Sequence, residues 1–333
     1  MPLIDKFGRE INYIRVSVTD RCDFRCVYCM SEDMTFLPRA ALLTLEELCT
    51  VTRCFTELGV NKVRVTGGEP LIRKDIGLLF KQIGALPGLD ELNLSSNGSR
   101  LDRYSEQLVE AGVKRLNISL DTLKADRFKA LTRTGDLHQV LKGIQAAKTA
   151  GFKRIKLNAV IMKNRNADEV VDLVDYALEN ELDISFIEEM PLGNISEHDL
   201  KEEFCSSSEL RQLISAKHTL SPMGHSEDES SPSGPSRYWT TGKHSTRIGF
   251  ISPHSENFCA TCNRVRLTAE GRLLLCLGNE HSVDLKSVMR ANPGNDEILK
   301  QAIVAAMDIK PERHYFNHDD EPQIVRFMNA TGG

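Results

Sequence analysis

The stretch Cys22-Asp-Phe-Arg-Cys26-Val-Tyr-Cys29 places three thiols within eight residues, with the spacing C-x3-C-x2-C. A short loop of this kind can wrap three thiolates around one small inorganic group. A cubane iron–sulfur cluster fits well, because three irons take a cysteine and the fourth stays open for a chelating ligand. Zinc is an alternative, although it usually takes four protein ligands. Inert thiols are a third reading, and a disulfide framework is disfavoured because three is an odd number.

On either side of this loop, strand-like and helix-like segments alternate. The strand-like runs are residues 13–19, 62–66, 91–95, 115–120, 154–161 and 183–188, and the helical runs are 45–58, 75–86, 104–111, 137–150 and 168–180. Gly59, Gly112 and Gly151 follow three of the helical runs, where a left-handed cap is needed. Strand–helix repetition predicts a parallel sheet, and six units indicate an α/β fold built as a partial, open TIM-like barrel.

The predicted strands alternate polar and apolar residues, which is unusual for a parallel sheet with both faces covered. The polar positions include Arg15, Ser17, Thr19, Lys62, Arg64, Thr66, Asn93, Ser95, Asn117, Ser119, Lys156 and Asn158. Because side chains alternate between faces, each polar set lies on one surface. Helices must cover the apolar face, so we expect a polar, partly cationic lumen for a charged substrate. The alternative is an open sheet with one solvated face.

Composition limits the possible functions and divides the chain. The formal net charge of −5 over 333 residues argues against general affinity for nucleic acid or anionic membranes. The sequence shows neither a secretory signal nor an apolar run long enough for a membrane span, and nine cysteines then indicate a reducing, cytoplasmic setting. We expect a barrel over residues 1–220, a flexible linker or loop over 221–236, rich in Ser, Pro and Gly, and a C-terminal region over 237–333.

A second group of cysteines lies in the C-terminal region, at Cys259, Cys262 and Cys276. From spacing alone, zinc and a second cluster are equally consistent. Zinc would need a fourth ligand, with His254, His281 and Cys205 as the candidates.

Arg264 and Arg266 follow this motif two residues apart, so an extended segment would point both guanidinium groups the same way. Paired arginines suit phosphate. A solvated, charged strand face is the alternative.

The chain resembles the GTP 3′,8-cyclase family of molybdenum-cofactor biosynthesis, within the radical S-adenosylmethionine (SAM) superfamily. The resemblance covers nearly the full length. It rests on Arg15-x-Ser-x-Thr-Asp-x-Cys22, Gly67-Gly-Glu-Pro70, Phe258-Cys-Ala-Thr-Cys-Asn-Arg-Val-Arg266 with Cys276, and the terminal Gly332-Gly333. The first cysteine motif marks the superfamily, and the second motif with its arginines and the glycine tail marks the family.

The resemblance implies two [4Fe–4S] clusters. Cys22, Cys26 and Cys29 would hold the cluster that binds SAM, and Cys259, Cys262 and Cys276 would hold a second whose open iron binds the guanine of GTP. SAM contacts are implied for Tyr28, Gly68, Ser119 and Met190. GTP contacts are implied for Arg15, Lys62, Arg64, Ser95, Lys156, Arg264, Val265 and Arg266. Arg264, Arg266 and a tail, Gly332-Gly333, that reaches the active site would take part in catalysis.

The implied reaction is a radical cyclisation of the lyase class. A 5′-deoxyadenosyl radical removes hydrogen from C3′ of GTP, and the C3′ radical attacks C8 to give 3′,8-cyclo-7,8-dihydroguanosine triphosphate. The resemblance also implies a homodimer, an electron donor and a downstream cyclic pyranopterin monophosphate synthase. Two alternatives are a radical SAM enzyme with an auxiliary cluster and another substrate, and a zinc-stabilised nucleotide-binding module.

One position departs from the family pattern. Ser185 stands where many relatives carry arginine, so one phosphate contact is lost or is supplied elsewhere, for example by Lys62. We expect Ser185→Arg to leave catalysis intact without weakening GTP binding. Cys49, Cys54 and Cys205 match no ligand position, and the first two are expected to be packed thiols.

Overall fold

The computed structural model describes residues 2–193, 203–223, 234–242, 245–314, 316 and 324–332. The strands are β1 Tyr13–Ser17, β2 Lys62–Thr66, β3 Glu91–Ser96, β4 Val113–Ser119, β5 Arg154–Ile161, β6 Asp183–Glu188, β7 Ser221–Pro222, β8 Ser236–Thr240, β9 Ile248–Ile251, β10 Arg264–Leu267, β11 Arg272–Leu274 and β12 Ser282–Asp284. The described helices are α1 Leu45–Glu57, α2 Ile76–Gly84, α3 Leu101–Glu110, α4 Ala125–Thr132, α5 Leu137–Ala150, α6 Val170–Glu179, α7 Ser207–Ser215, α8 Leu285–Ala291, α9 Asp296–Ala306 and α10 Met328–Thr331.

All twelve strands form one sheet in the order β12-β11-β10-β1-β2-β3-β4-β5-β6-β9-β8-β7. The eight strands from β10 to β9 in this order run parallel, and antiparallel strands extend both edges. Within the described ranges the two end strands do not pair with each other, so the barrel is open. The predicted open α/β barrel is confirmed, with β9 and β10 adding two parallel strands to the expected six.

Local sequence signals set the helix ends. At the start of α1, the Thr44 hydroxyl accepts from the Glu47 N–H while the Glu47 carboxylate accepts from the Thr44 N–H, which is a capping box. Gly59, Gly112 and Gly151 all have positive φ, between 85° and 94°, as the cap prediction requires.

The two faces of the sheet differ as the alternation predicts. Val16, Val65 and Leu94 are fully buried in the hydrophobic core beneath the helices. The neighbouring polar positions line a cavity inside the barrel, so the expected polar lumen is confirmed. None of the described helices is long and apolar enough to cross a membrane.

Several boundaries differ from the sequence expectation. Strand β1 ends at Ser17, because the next residues turn toward the cysteine loop and the Thr19 carbonyl accepts the Gly68 N–H. Helix α3 begins three residues earlier than predicted, and α4 was not predicted. Within the expected linker, residues 221–222 and 236 lie in strands, whereas 224–233 lie outside the described residues. The three-part division of the chain stays a prediction.

Candidate active site

A cavity of about 350 Å³ occupies the lumen, and both groups of cysteines line it. All six cysteines that the sequence singled out, the predicted SAM positions Tyr28, Gly68, Ser119 and Met190, and the predicted nucleotide positions Arg15, Lys62, Arg64, Ser95, Lys156, Arg264, Val265 and Arg266 line it. The fold therefore brings residues from nearly the whole chain to one site. Gly333 lies outside the described residues.

The first cysteine triad sits in the loop that follows β1. The Cys29 N–H donates to the Cys26 carbonyl at 3.0 Å, which closes the loop into a turn. The Cys22 sulfur accepts from the Phe24 N–H at 3.4 Å and from Asn97 Nδ2 at 3.7 Å. Burial raises the pKa of all three thiols, that of Cys29 to about 12. Three buried thiols with raised pKa values need a cationic group between them before they can all be thiolates.

The cysteine triads can be compared with the ligand sets that zinc and an iron–sulfur cluster need. Among the described residues, no three His, Cys, Asp or Glu side chains converge closely enough to hold a single metal ion. A zinc ion draws its sulfur ligands to about 2.3 Å from one point. A cubane cluster takes each thiolate on a different corner and needs only three, so the three thiols of each triad are a donor set that fits a cluster.

The turn Gly67-Gly68-Glu69-Pro70 packs against the cysteine loop. Gly68 donates its N–H to the Thr19 carbonyl at 2.7 Å, and a Cβ there would lie 2.3 Å from the Arg21 carbonyl oxygen. The loop backbone therefore requires glycine at position 68. Glu69 is fully buried and accepts from the N–H groups of Leu71 and Asn97, a supporting role that sequence reasoning missed.

Asp121 is a further residue that the sequence did not single out. Its Oδ2 accepts from the Tyr28 hydroxyl at 2.8 Å, and its Oδ1 accepts from the Val160 N–H at 2.9 Å. Burial raises its pKa to about 6. The carboxyl fixes Tyr28 beside the first triad. The alternation of polar and apolar residues could have identified Asp121 from the sequence, because it continues the polar face of β4 two residues beyond Ser119.

The second triad spans a short turn and a hairpin. The Cys262 N–H donates to the Cys259 carbonyl at 3.1 Å, and Cys276 follows β11, which pairs antiparallel with β10. Burial raises the pKa of the Cys262 thiol, but the charges of Arg264 and Lys310 outweigh it and lower the pKa to about 7.

The three candidate fourth ligands for zinc, His254, His281 and Cys205, do not line the cavity. Cys205 packs in the hydrophobic core, and His254 Nε2 lies 2.8 Å from the Glu189 carbonyl oxygen. His281 is exposed. Cys54 is a fully buried core thiol and Cys49 packs against the core, as expected.

Three arginines lie side by side across adjacent parallel strands. In the register, Arg266 of β10 is opposite Arg15 of β1, which is opposite Arg64 of β2. Burial lowers the pKa of Arg15 to about 10, with Arg64 and Arg264 repelling its charge. Burial together with Arg15 and Arg264 also lowers the pKa of Arg266. A row of like charges at strand spacing, about 4.8 Å, is unfavourable unless an anion lies against it.

Tyr13 lies two residues before Arg15 on β1, where the register places it opposite Arg264 and Lys62. Its hydroxyl accepts from Arg64 Nε at 2.7 Å, and the residue is 4% exposed. Burial raises its pKa, but Arg64 and Arg15 outweigh burial and bring the pKa to about 7.

Other predicted nucleotide positions have partners of their own. Lys62 pairs with Glu91 at 3.4 Å, and Lys156 Nζ lies 3.4 Å from the Tyr238 hydroxyl. The Val265 side chain is buried in the hydrophobic core, so only its backbone can reach a ligand.

The C-terminal tail enters the barrel. The Met328 N–H donates to the Cys29 carbonyl at 3.2 Å, and the Gly332 carbonyl accepts from Arg266 Nη1 at 2.5 Å. Gly332 has a φ of 76°, and a Cβ there would lie 2.5 Å from the Thr66 side chain. The tail thus connects the first triad to the arginine row.

Ser185 is fully buried, with its hydroxyl 3.0 Å from that of Ser236. A Cβ on the facing Gly249 would lie 2.6 Å from the Ser185 oxygen. This packing predicts that an arginine side chain here would crowd Ser236 and Gly249. The expectation that Ser185→Arg leaves catalysis intact without weakening GTP binding stays a prediction.

Two family models match the chain. The Radical SAM superfamily model matches residues 16–177, and the Molybdenum Cofactor Synthesis C model matches residues 182–316. Among curated proteins, the chain is 60% identical over 331 residues to the GTP 3′,8-cyclase of Saccharophagus degradans, covering 99% of this chain and 98% of that protein. It is 62% identical over 332 residues to the GTP 3′,8-cyclase of Pseudomonas putida strain GB-1, with the same coverage.

Solved structures show a similar fold at low identity. The crystal structure of Streptococcus suis SuiB has a TM-score of 0.62 at 16% identity, covering 89% of this chain and 67% of that chain. The SuiB structure bound to S-adenosylmethionine has a TM-score of 0.60 at 17% identity, covering 96% and 77%. At these identities the likeness concerns the fold alone.

Proposed function

This chain belongs to the GTP 3′,8-cyclase family, and we propose that it cyclises GTP to 3′,8-cyclo-7,8-dihydroguanosine 5′-triphosphate, an early step of molybdenum-cofactor biosynthesis. The reaction is a SAM-dependent radical cyclisation of the lyase class. The observation that carries the proposal is the row Arg266–Arg15–Arg64 in a cavity shared by two cysteine triads. A triphosphate supplies the anionic charge that this row requires, and the triads flank it.

Cys22, Cys26 and Cys29 are the residues that would hold the first [4Fe–4S] cluster. When bound, that cluster supplies the electron that converts SAM into methionine and a 5′-deoxyadenosyl radical. The chain's contribution is to hold and orient: Asp121 fixes Tyr28 through a 2.8 Å hydrogen bond, and both line the cavity beside the triad. Ser119 and Met190 line the same part of the lumen and complete the proposed SAM contacts.

The nucleotide is held by the polar strand faces. Arg15, Arg64 and Arg266 bind the triphosphate, since guanidinium groups donate in pairs to phosphate oxygens. Gly332 keeps Arg266 in place through its carbonyl oxygen. Cys259, Cys262 and Cys276 are the residues that would hold a second cluster, and that cluster would bind the guanine.

With the nucleotide held in this way, the ribose faces the radical source. The hydrogen atom of C3′ passes to the 5′-deoxyadenosyl radical and gives 5′-deoxyadenosine. The C3′ radical then adds to C8 of guanine, and the resulting radical takes one electron from the electron donor and one proton to give the product. C3′ and C8 belong to the same nucleotide, so holding the ribose with C3′ toward C8 keeps the two reacting atoms in a near-attack arrangement.

The remaining expectations are part of the same proposal. The enzyme works in the cytoplasm as a homodimer with an electron donor, and its product passes to cyclic pyranopterin monophosphate synthase. The barrel occupies residues 1–220, a linker or loop 221–236, and the C-terminal region 237–333. Thiols that must stay reduced for clusters fit a reducing compartment.

An anaerobic turnover assay tests the proposal. Reconstituted protein receives reductant, SAM and either GTP or ATP, and 5′-deoxyadenosine and cyclised nucleotide are quantified. We expect both products to require GTP. Equal 5′-deoxyadenosine with either nucleotide and no cyclised product would indicate a radical SAM enzyme with another substrate. Colourless, zinc-loaded protein without 5′-deoxyadenosine would indicate a nucleotide-binding module instead.

A further inference from the structure

Lys310 is a buried lysine outside every motif that the sequence analysis singled out. It is 1% exposed, and its ammonium group lies against the second cysteine triad. Its Nζ donates to the Leu275 carbonyl at 2.5 Å and to the Arg264 carbonyl at 3.2 Å, and it lies 3.8 Å from the Cys262 sulfur. A lysine ammonium has three N–H donors, and these contacts use all three.

These contacts join the two arms of the triad. Arg264 lies two residues after Cys262, and Leu275 directly precedes Cys276. One ammonium group therefore fixes the separation between the turn that carries Cys262 and the hairpin arm that carries Cys276. Residues that orient metal ligands from outside the coordination sphere commonly contribute 10- to 100-fold to metal affinity.

The charge of Lys310 matters as much as its position. Within the described part of the chain, its contacts are two carbonyl oxygens and a sulfur, with no carboxylate among them. An uncompensated buried cation is costly, so a negative partner is expected. The Cys262 sulfur lies 3.8 Å away, and a cluster bound at the triad would supply the negative partner there.

Arg9 provides a contrast at the same place. Its Nη1 donates to the carbonyl oxygens of Cys259, at 2.9 Å, and Glu312, at 2.7 Å, and its Nη2 donates to that of Pro311. Its charge is already paired with Asp5 at 2.6 Å. Both cations connect the residues after Ile309 to the triad, but Arg9 contacts only backbone oxygens there.

We infer that Lys310 is a positioning residue that holds the second triad ready for its cluster and raises the reduction potential of the cluster bound there. The inference rests on the proposed function, which places a second cluster at Cys259, Cys262 and Cys276. A positive charge and an N–H donor beside a cluster sulfur stabilise the reduced, more negative state. Removing the charge makes the potential more negative.

The test compares four full-length variants after anaerobic reconstitution. Lys310→Met removes charge and donors, Lys310→Gln keeps N–H donors without charge, and Lys310→Arg keeps the charge. Arg9→Met serves as the control for loss of a backbone clamp. Iron and sulfide per chain, the rate of iron loss to a chelator, and the midpoint potential of each cluster by spectroscopic titration are measured. Circular dichroism checks that each variant is folded.

We expect the second cluster of Lys310→Met to lose iron to the chelator about 10- to 100-fold faster than that of the wild type. Lys310→Gln should have a more negative midpoint potential at that cluster. Lys310→Arg and Arg9→Met should both keep the wild-type midpoint potential. Wild-type potentials in folded Lys310→Met and Lys310→Gln proteins would overturn the role of the charge. Wild-type protein that binds a cluster at the first triad alone would refute the second cluster of the proposed function. That outcome is distinct from a failure of the role inferred for Lys310.

Discussion

Replacing Arg15 with methionine should stabilise the ligand-free protein while weakening GTP binding. Burial and neighbouring cations lower the pKa of Arg15 from 12.5 to about 10. Since one pKa unit corresponds to about 1.4 kcal/mol, holding this guanidinium charged in the folded protein costs roughly 3 kcal/mol. Methionine keeps an apolar stem of similar length without the charge. We therefore expect the free energy of unfolding to rise by about 1–3 kcal/mol.

Under the proposed function, the same substitution removes the charged hydrogen bonds that Arg15 would donate to the triphosphate, each worth about 1.5–3 kcal/mol. The dissociation constant for GTP should rise roughly 10- to 150-fold. Titration calorimetry without SAM or reductant measures the affinity without turnover, and urea denaturation measures the stability.

The result that supports this reasoning is a higher free energy of unfolding together with weaker GTP binding in the same variant. Arg103, an exposed residue of α3 outside the cavity, provides the matched control, and Arg103→Met should change neither quantity. A structural arginine would lose stability when replaced. Arg15→Met protein that is destabilised by more than about 1 kcal/mol, yet binds GTP as wild type does, would refute the reasoning.

Three further predictions concern packing and titration. Ser185→Arg overfills the contact with Ser236 and Gly249 and should lower the free energy of unfolding by about 1–3 kcal/mol in urea denaturation, whereas unchanged stability would contradict the packing. Gly68→Ala places a methyl group against the Arg21 backbone and should reduce the iron bound at the first triad. Gly234→Ala is the control, because its methyl group meets open space. Equal iron content in the two variants would contradict the prediction. The pKa of Tyr13 is lowered to about 7, below its unfolded value of 10, so its contribution to the free energy of unfolding grows as pH rises from about 7 to 10 and is lost below pH 7. The difference in free energy of unfolding between wild type and Tyr13→Phe should therefore widen over that interval. A constant difference would exclude phenolate formation.

The sheet and its polar lumen were predictable because their signals are local. Side-chain alternation in β1 and β2 has a period of two residues and needs no knowledge of the partner strand. The cysteine spacing and the arginine pair of β10 are local in the same sense. The parallel register then places Arg266, Arg15 and Arg64 in one row, which their sequence positions alone do not specify.

The supporting residues were not predictable because their contacts are long-range. Arg9 meets the Cys259 carbonyl across 250 positions, and Lys310 meets Cys262 across 48. The packing of Ser185 was not predictable for the same reason, since its hydroxyl contacts Ser236, which lies 51 positions away. A pattern along one strand does not report what packs over its side chains.

The most direct test of the account is the fate of the C3′ hydrogen. GTP deuterated at C3′ is incubated anaerobically with reconstituted protein, reductant and SAM, and the 5′-deoxyadenosine is analysed by mass spectrometry. The account predicts 5′-deoxyadenosine carrying one deuterium, formed together with cyclised nucleotide. Unlabelled 5′-deoxyadenosine produced alongside intact GTP would contradict it.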